Sequence, residues 1–359
     1  MTSISIKQEL DDLLISTAQE GASDLHIAVG RYPTLRIDGR LVPLSNKELL
    51  TPQRAEDLVF ALLTESQREI FLKRKEFDTS YEYEGKIRFR VNVFYQRGYV
   101  SAAFRLISSK IRTLEELDIP SLVYDFTRPS QGFVLVVGPS GHGKSTTLAA
   151  LINRINHQKY AHIVTIEDPI EYVYTQDRCI INQREINTDT ESFGTALRSI
   201  FREDADVILV GEMRDPETIS TAITAAETGH LVFATLHTNS ASQTVDRMID
   251  SFPAGQQDQI RAQLAGNLLG ILSQRLIPKT DGGRIPAIEI MFANSAVKNL
   301  IRENKNHQLD LVINTSADEG MISLNSSLAE LVKKGVISLE NAEIYSTDVN
   351  DLKMMIQRK

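Results

Sequence analysis

The fold is decided by the stretch Gly138-Pro139-Ser140-Gly141-His142-Gly143-Lys144-Ser145, which follows an apolar run at 133–137 and precedes a helical pattern at 146–156. The stretch matches G-x-x-x-x-G-K-[ST], and the order strand, glycine-rich turn, helix supports a phosphate-binding loop. Glycines let successive backbone N–H groups turn inward, and the helix N-terminus adds partial positive charge. The sequence therefore predicts a nucleoside triphosphate site in which Lys144 reaches the phosphates and the Ser145 hydroxyl binds Mg²⁺. A chance match of a glycine-rich loop is the alternative, which the flanking strand and helix disfavour.

Length and composition indicate a globular chain with room for two domains. The 359 residues are 42% hydrophobic and 24% charged, which is ordinary for a soluble protein. No apolar run approaches the roughly 20 residues that span a bilayer, and the first residues lack the layout of a signal peptide. The single cysteine excludes an internal disulfide and a four-thiolate zinc site. We therefore expect a cytoplasmic protein.

The net charge of −8 is unevenly placed along the chain. Residues 1–112 carry a balance of +2, and residues 113–359 carry a balance of −10. An acidic second half without a basic, aromatic-rich stretch argues against a nucleic-acid motor. That class nevertheless stays open, because the pore of a ring can be locally basic.

Two carboxylates follow apolar strand patterns, where functional loops of open α/β sheets lie. Glu167 ends the stretch 162–166, and an acidic surface turn is the alternative there because Asp168 and Glu171 follow. Glu212 ends the stretch 206–210, but Gly211 stands where the second acidic motif of P-loop ATPases usually has Asp. We therefore predict that Glu212 holds or deprotonates the attacking water instead of binding the metal.

Histidines stand at both ends of a third apolar run, 231–236. His230 precedes it and His237 follows it. A histidine at a strand end is ordinarily a satisfied polar group, but His237 would face the γ-phosphate if its strand neighbours the P-loop strand. A metal site is less favoured, since no third ligand lies at a useful spacing.

A basic stretch precedes the P-loop. Apolar and polar residues alternate from 86 to 93, so Arg88 and Arg90 share one face of a predicted strand, and Arg105 lies on the next strand. Residues 86–112 hold seven basic residues and no acidic ones. A solvated strand face is the alternative to arginines that respond to a γ-phosphate.

Periodicity predicts the remaining elements. Helical patterns cover 4–20, 51–76, 255–277 and 294–303, a strand covers 287–291, and two further helices lie within 320–345. The sequence has no internal repeat and no low-complexity tract.

Four motifs in order resemble one family. They are GPSGHGKSTT (138–147), TIEDPIEY (165–172), VILVGEMRD (207–215) and AETGHLVFATLHT (226–238). The chain resembles, nearly end to end, the secretion ATPases of type IV pilus and type II secretion systems, and among them the pilus retraction ATPases. The resemblance implies an α/β fold with a small PAS-like α+β N-terminal domain (1–106), a linker (107–115) and a RecA-like P-loop ATPase domain (116–359) with a helical C-terminal region.

The resemblance also implies roles by position. Glu167, Glu212, His230 and His237 would be catalytic. The nucleotide-binding residues would be Gly138, Ser140, Gly141, His142, Gly143, Lys144, Ser145, Thr146, Arg88, Arg90 and Arg105. A C-terminal coupling motif would comprise Ala296, Lys298, Asn299, Leu300 and Arg302. Two positions depart from the family pattern: Lys298 replaces Arg and loses its planar fork, and His142 replaces a small residue within the P-loop.

The function that the resemblance implies is a homohexameric motor that hydrolyses ATP with Mg²⁺ and powers pilus retraction. It would act at the pilus base, at the cytoplasmic face of the inner membrane, through a platform protein and possibly with an accessory retraction ATPase, without binding nucleic acid. Alternatives are an accessory retraction paralogue, an extension or secretion ATPase, a nucleic-acid motor and a non-catalytic nucleotide-dependent scaffold. Extension relatives usually carry an extra N-terminal domain and a tetracysteine zinc module, which we do not find in this sequence.

Overall fold

The computed structural model of the chain describes residues 5–37, 39–84, 87–107 and 110–357. The α/β chain divides into two compact units. The first comprises Met1–Lys110 with Pro169–Val173, and the second comprises Ile111–Asp168 with Tyr174–Lys359. Among the described residues no helix is both long and apolar enough to cross a membrane.

The described residues of the first unit form an antiparallel sheet with three helices. Its six strands, in the spatial order β3-β2-β1-β6-β5-β4, are β1 (Asp24–Ile27), β2 (Thr34–Ile37), β3 (Arg40–Pro43), β4 (Glu76–Tyr83), β5 (Ile87–Gln96) and β6 (Tyr99–Ile107). The helices are α1 (Ile6–Gln19), α2 (Pro52–Phe60) and α3 (Glu65–Arg74). The alternation predicted for β5 is confirmed, since Phe89, Val91 and Val93 are buried while Arg90 is exposed.

The helical pattern predicted over 51–76 forms two helices in the structure, α2 and α3. Thr64 begins the second helix with a capping box, in which its hydroxyl accepts from Gln67 N and the Gln67 side chain accepts from Thr64 N. A side chain that satisfies the first N–H groups of a new helix favours a break in the pattern at that point.

The second unit is built on a seven-stranded sheet. In the spatial order β13-β12-β7-β11-β10-β8-β9, the strands are β7 (Gly132–Val137), β8 (His162–Glu167), β9 (Ile180–Glu185), β10 (Val207–Val210), β11 (Leu231–Leu236), β12 (Leu268–Pro278) and β13 (Arg284–Phe292). All neighbours are parallel except β13, which runs antiparallel to β12. The central strands β7, β10 and β11 are buried along their whole length, as expected when helices cover both faces of a parallel sheet.

Ten helices of the described chain belong to this unit. They are α4 (Lys144–Gln158), α5 (Phe193–Ile200), α6 (Pro216–Glu227), α7 (Ala241–Asp250), α8 (Ala254–Asn267), α9 (Ser295–Arg302), α10 (Leu309–Thr315), α11 (Leu324–Lys333), α12 (Leu339–Tyr345) and α13 (Val349–Gln357). Short 3-10 turns lie at Glu115–Leu117, Ser121–Thr127, Asn306–Gln308 and Ala317–Glu319. The C-terminal helices α11 to α13 pack with β12 and β13 around a second, smaller core.

The long helix predicted over 255–277 is wrong in its second half. Helix α8 ends at Asn267 and the chain continues directly as β12, parallel to β7. An apolar run such as 268–272 fits a buried strand as well as a helix, so its pattern alone cannot decide. Glycine at position 270 allows β12 to approach β13 closely, because a Cβ there would lie 2.5 Å from the Met291 carbonyl oxygen on β13.

The parallel sheet brings four strand ends to one edge. Val137 of β7 pairs with Leu236 of β11, Ala234 of β11 pairs with Val210 of β10, and Val210 pairs with Ile166 of β8. The residues that follow these positions are the P-loop, His237, Glu212 and Glu167. The candidate chemistry therefore gathers at the carboxyl edge of the sheet.

Candidate nucleotide-binding and catalytic site

The P-loop joins the buried strand β7 to helix α4. Lys144 is the first residue of α4, and its Nζ donates to the carbonyl oxygens of Gly138 at 2.8 Å and Pro139 at 3.0 Å. The lysine is thus folded back over its own loop. The N-cap residue, Gly143, has no side chain to satisfy the first N–H groups of α4, which suits the helix N-terminus to an anion.

His237 connects the P-loop with a carboxylate. Its Nδ1 lies 3.3 Å from Lys144 Nζ and 3.3 Å from Ser140 Oγ, and its Nε2 lies 3.2 Å from Glu212 Oε1. A lysine ammonium has donors only, so Nδ1 accepts from it and the ring proton resides on Nε2. His237 therefore donates to Glu212, and the metal role that the sequence left open for this histidine has no support here. No group of His, Cys, Asp and Glu residues in the described chain forms a metal cluster.

Glu212 is held as a charged acceptor. Arg214 Nη2 donates to its Oε2 at 2.7 Å, while His237 occupies the other oxygen. Burial alone would raise the pKa of Glu212, but the hydrogen bonds from Arg214 and His237 and the positive charge of Arg214 outweigh burial and lower this pKa below its usual value. A carboxylate that stays ionised at neutral pH can orient a water molecule or accept a proton from it.

Glu167 ends the neighbouring strand β8 and is buried, which disfavours the acidic surface turn. Its Oε1 accepts from Thr165 Oγ1 at 2.7 Å and from Gln183 Nε2 at 3.3 Å. Gly211, immediately before Glu212, donates its N–H to Ile166 O at 2.8 Å. A Cβ at Gly211 would lie 3.1 Å from that same oxygen, so the two strand ends approach closely at this position.

His230 lies at the opposite edge of the sheet. Its Nδ1 is 2.9 Å from Ala225 O at the end of α6, and its carbonyl oxygen accepts from Gly132 N at the start of β7. The six residues of β11 separate it from His237 by about 20 Å. The structure thus does not bring His230 to the P-loop of the same chain, and its contacts support a structural role. Its catalytic role stays a prediction.

The three arginines assigned to the nucleotide lie in the first unit. Arg88 donates to Glu82 Oε2 at 3.1 Å and to Ser80 Oγ at 2.8 Å, and Arg105 donates to Asp24 Oδ1 at 3.0 Å. Arg90 is exposed on β5. Two of the three guanidinium groups thus have acidic partners within their own unit, and their approach to a nucleotide stays a prediction.

The C-terminal motif forms helix α9, capped by Asn294 as the sequence predicts. Val297 and Ile301 are buried in the core of the second unit, whereas Ala296, Asn299 and Arg302 are exposed and Lys298 and Leu300 are half-buried. Arg302 Nη1 donates to Asn299 Oδ1 at 3.1 Å. The helix therefore presents a polar surface, and its coupling role stays a prediction.

Sequence reasoning missed the contacts that β12 and β13 make with the P-loop, among them that of Gln274. Gln274 of β12 donates from Nε2 to the carbonyl oxygen of His142 at 2.9 Å. The contact could not be predicted because the pattern over 255–277 indicates one helix, which leaves no strand beside β7 at this position. The available signal was Gly270 inside the apolar run, since a glycine there weakens a helix assignment.

The strand–loop–helix of the P-loop and the acidic groups on the adjoining strand ends define a P-loop protein with a RecA-like α/β core and a helical C-terminal region. This confirms the α/β fold class with a RecA-like ATPase domain. The model of the family described as "Type II/IV secretion system protein" matches residues 2–344. The chain belongs to this family.

Individual relatives cover nearly the whole chain. The type IV pilus retraction ATPase PilT of Pseudomonas aeruginosa is 48% identical over 339 residues, which are 93% of this chain and 97% of PilT. The type IV pilus ATPase PilU of the same organism is 39% identical over 350 residues, 97% of this chain and 91% of PilU. A crystal structure of the pilus retraction motor PilT with bound ADP superposes with a TM-score of 0.90 at 45% identity, covering 96% of this chain and 98% of that one.

Proposed function

We propose that this chain is an ATP-hydrolysing motor that powers type IV pilus retraction, working as a homohexamer. The observation that carries the proposal is the contact series from Lys144 through His237 to Glu212, because it joins a phosphate-binding loop to a charged carboxylate. The names of the relatives at 48% and 45% identity, a retraction ATPase and a retraction motor with bound ADP, supply the biological setting.

Each group has a role in the proposed reaction. The loop N–H groups and Lys144 bind the phosphates, and Glu212 orients and deprotonates the attacking water. His237 holds Glu212 in place and joins it to the loop. Glu167, buried with its hydrogen-bond donors, is the second acidic group at this edge.

The residues present fit Mg²⁺, since this ion usually has only one or two protein oxygen ligands and is otherwise coordinated by phosphates and water. Ser145, in the first turn of α4, would hold it, and the ion would neutralise charge on the β- and γ-phosphates.

Mechanical work would come from the ring. We infer that ATP closes the second unit against the first unit of a neighbouring subunit, where Arg88, Arg90 and Arg105 approach the nucleotide. Release of phosphate would reopen it and move a platform protein at the inner membrane, with α9 as the coupling surface. In this proposal the motor acts at the cytoplasmic face of the inner membrane at the pilus base, held there by protein contacts.

An accessory retraction ATPase is the second candidate, since PilU is 39% identical over 97% of this chain. The test is deletion of the gene together with phosphate release by the purified chain. Piliated cells that no longer twitch, and an active purified chain, support the principal motor. Bald cells would instead indicate an extension ATPase, and stimulation of turnover by DNA would revive the nucleic-acid motor.

A purified ring that binds ATP without releasing phosphate would contradict the proposal and support a scaffold. If twitching persists after deletion but is lost when a second retraction gene is also removed, the accessory role is correct.

A further inference from the structure

Gln274 forms hydrogen bonds with both the P-loop and the helix that follows it. It lies on β12, beside β7, and only 2% of it is exposed. Its Nε2 donates to His142 O at 2.9 Å, and its Oε1 accepts from Thr147 Oγ1 at 2.7 Å. Both polar atoms of one buried amide are thus used to connect the loop with the first turn of α4.

The loop backbone also packs directly on Gln274. Gly138, the first residue of the loop, has a φ of +145°, and a Cβ there would lie 2.3 Å from Gln274 O. The contact therefore needs a glycine, and it fixes the distance between the start of the loop and β12.

Two further contacts connect the middle of the loop to the β12–β13 hairpin. The N–H of Leu276 donates to His142 Nδ1 at 2.9 Å, and Arg284 Nη1 donates to Gly141 O at 3.3 Å. Burial and the charges of Arg284, Lys144 and Arg275 lower the pKa of His142. The imidazole that replaces a small residue thus remains an acceptor for β12.

We propose that Gln274 is a positioning residue for nucleotide binding, and that the His142 ring adds a second fixed point. In a trans peptide the C=O of one residue and the N–H of the next point in opposite directions. Anchoring the carbonyl oxygens of Gly141 and His142 to the hairpin therefore turns the N–H groups of His142 and Gly143 away from it, into the concave side of the loop. Those N–H groups are the ones a phosphate-binding nest requires.

This inference rests on nucleotide binding at the P-loop, as proposed above. The test measures the dissociation constant for a non-hydrolysable ATP analogue, the kcat at saturating ATP and the melting temperature without nucleotide. Gln274→Glu keeps the shape and the acceptor for Thr147 but replaces the donor to His142 O with a carboxylate. We expect the dissociation constant to rise about tenfold, as for loss of one loop-orienting hydrogen bond, with a smaller change in kcat.

His142 provides rescue by a conservative variant. His142→Asn keeps an acceptor near the position of Nδ1 and should bind the analogue within about twofold of the wild type, whereas His142→Leu should weaken binding severalfold. Gln263→Ala, on α8 with its amide bonded to Glu227, is the matched control and should leave the dissociation constant unchanged.

A purely structural glutamine would give a different result. If Gln274→Glu lowers the melting temperature but leaves the dissociation constant within twofold, or if His142→Asn and His142→Leu bind alike, the positioning role is wrong. Should Gln274→Glu fail to fold, the two His142 variants decide. A wild-type chain that does not bind the analogue overturns the proposed function itself, which separates the two failures.

Discussion

The imidazole of His237 lies between Lys144 and Glu212, with Nδ1 3.3 Å from the lysine Nζ and Nε2 3.2 Å from the carboxylate Oε1. Lys144 belongs to the P-loop, which follows β7. Glu212 follows β10, and β11 lies between β7 and β10 in the sheet. A phosphate that attracts the lysine would therefore change the hydrogen bonding of the ring and, through it, the carboxylate. This gives the site a direct physical connection between phosphate binding and the carboxylate proposed as the base.

Replacing the proposed base should separate binding from turnover. In Glu212→Gln the amide keeps the shape and an acceptor for His237, but it cannot take a proton from water. We expect kcat for ATP hydrolysis to fall by about 10²- to 10⁴-fold, while the dissociation constant for an ATP analogue stays within a few-fold. Phosphate release by the purified chain and titration with the analogue measure the two quantities.

Glu340→Gln is the control, since this exposed carboxylate lies in the first turn of α12. It should leave both quantities unchanged. Turnover by Glu212→Gln comparable with that of the wild type would remove Glu212 from its role.

Removing the cation beside the base should shift the pH profile. Arg214 helps to lower the pKa of Glu212, and the base works only when ionised. In Arg214→Gln the pKa of Glu212 should rise, so the acid limb of kcat should move to higher pH. The comparison is the pH dependence of kcat for the wild type, Arg214→Gln and the control Arg202→Gln, which changes an exposed arginine on the same unit.

An acid limb that stays in place, or moves to lower pH, would show that Glu212 does not set it. A uniform fall in kcat without a shift would indicate that Arg214 acts on the nucleotide instead of on Glu212.

The sequence predicts the site at the carboxyl edge of the sheet because its signals are local. The P-loop has its own motif, and Glu212 and His237 each follow a short apolar run that is typical of a buried strand. Once these strands are parallel neighbours, the three side chains must converge. In the structure His237 contacts both Lys144 and Glu212.

Other features depend on which strands become neighbours, and no local pattern contains that information. Gln274 is useful only because β12 lies beside β7, and the apolar run that starts β12 fits a helix equally well. His230 was paired with His237 through resemblance and their shared strand, yet a strand of six residues puts its two ends at opposite edges of the sheet.

Alanine substitutions at Gly266 and Gly270 test whether α8 ends and β12 begins between these two residues. Gly270 lies in β12, where a Cβ would meet the Met291 oxygen and the Phe126 ring, each at 2.5 Å. Gly270→Ala should therefore destabilise the fold by about 1–3 kcal/mol, as overpacking does. Gly266 lies in α8 with open space around it, so Gly266→Ala should stabilise by up to about 1 kcal/mol. Urea denaturation measures both.

The two substitutions discriminate well because the residues are only four positions apart and lie on either side of the boundary between α8 and β12. If residues 255–277 formed one helix, both alanines would stabilise. Equal gains in the free energy of unfolding would therefore contradict the strand assignment of β12.

Glu289 should make the stability of the second unit depend on pH. It lies on β13 with 7% of its surface exposed, and its Oε1 accepts from Ala241 N, the first residue of α7, at 2.7 Å. Burial, with a smaller contribution from Asp310, raises the pKa of Glu289 to about 7, against the opposing effects of the Ala241 N–H and Arg275. The folded chain thus holds a proton on this group that the unfolded chain has already released.

The sign follows from the linkage of protonation and folding. Between the usual pKa of 4.5 and about 7 the folded state binds more protons than the unfolded state, so the stabilisation is complete at low pH and is lost as pH rises. The shift corresponds to about 3 kcal/mol. Glu289→Gln keeps an acceptor for Ala241 N–H and cannot ionise, so its free energy of unfolding relative to the wild type should increase from pH 5 to pH 8. Urea denaturation at both values, with the exposed Glu340→Gln as control, measures this difference, and parallel pH dependences for Glu289→Gln and the wild type would show that Glu289 is ionised in the folded chain throughout.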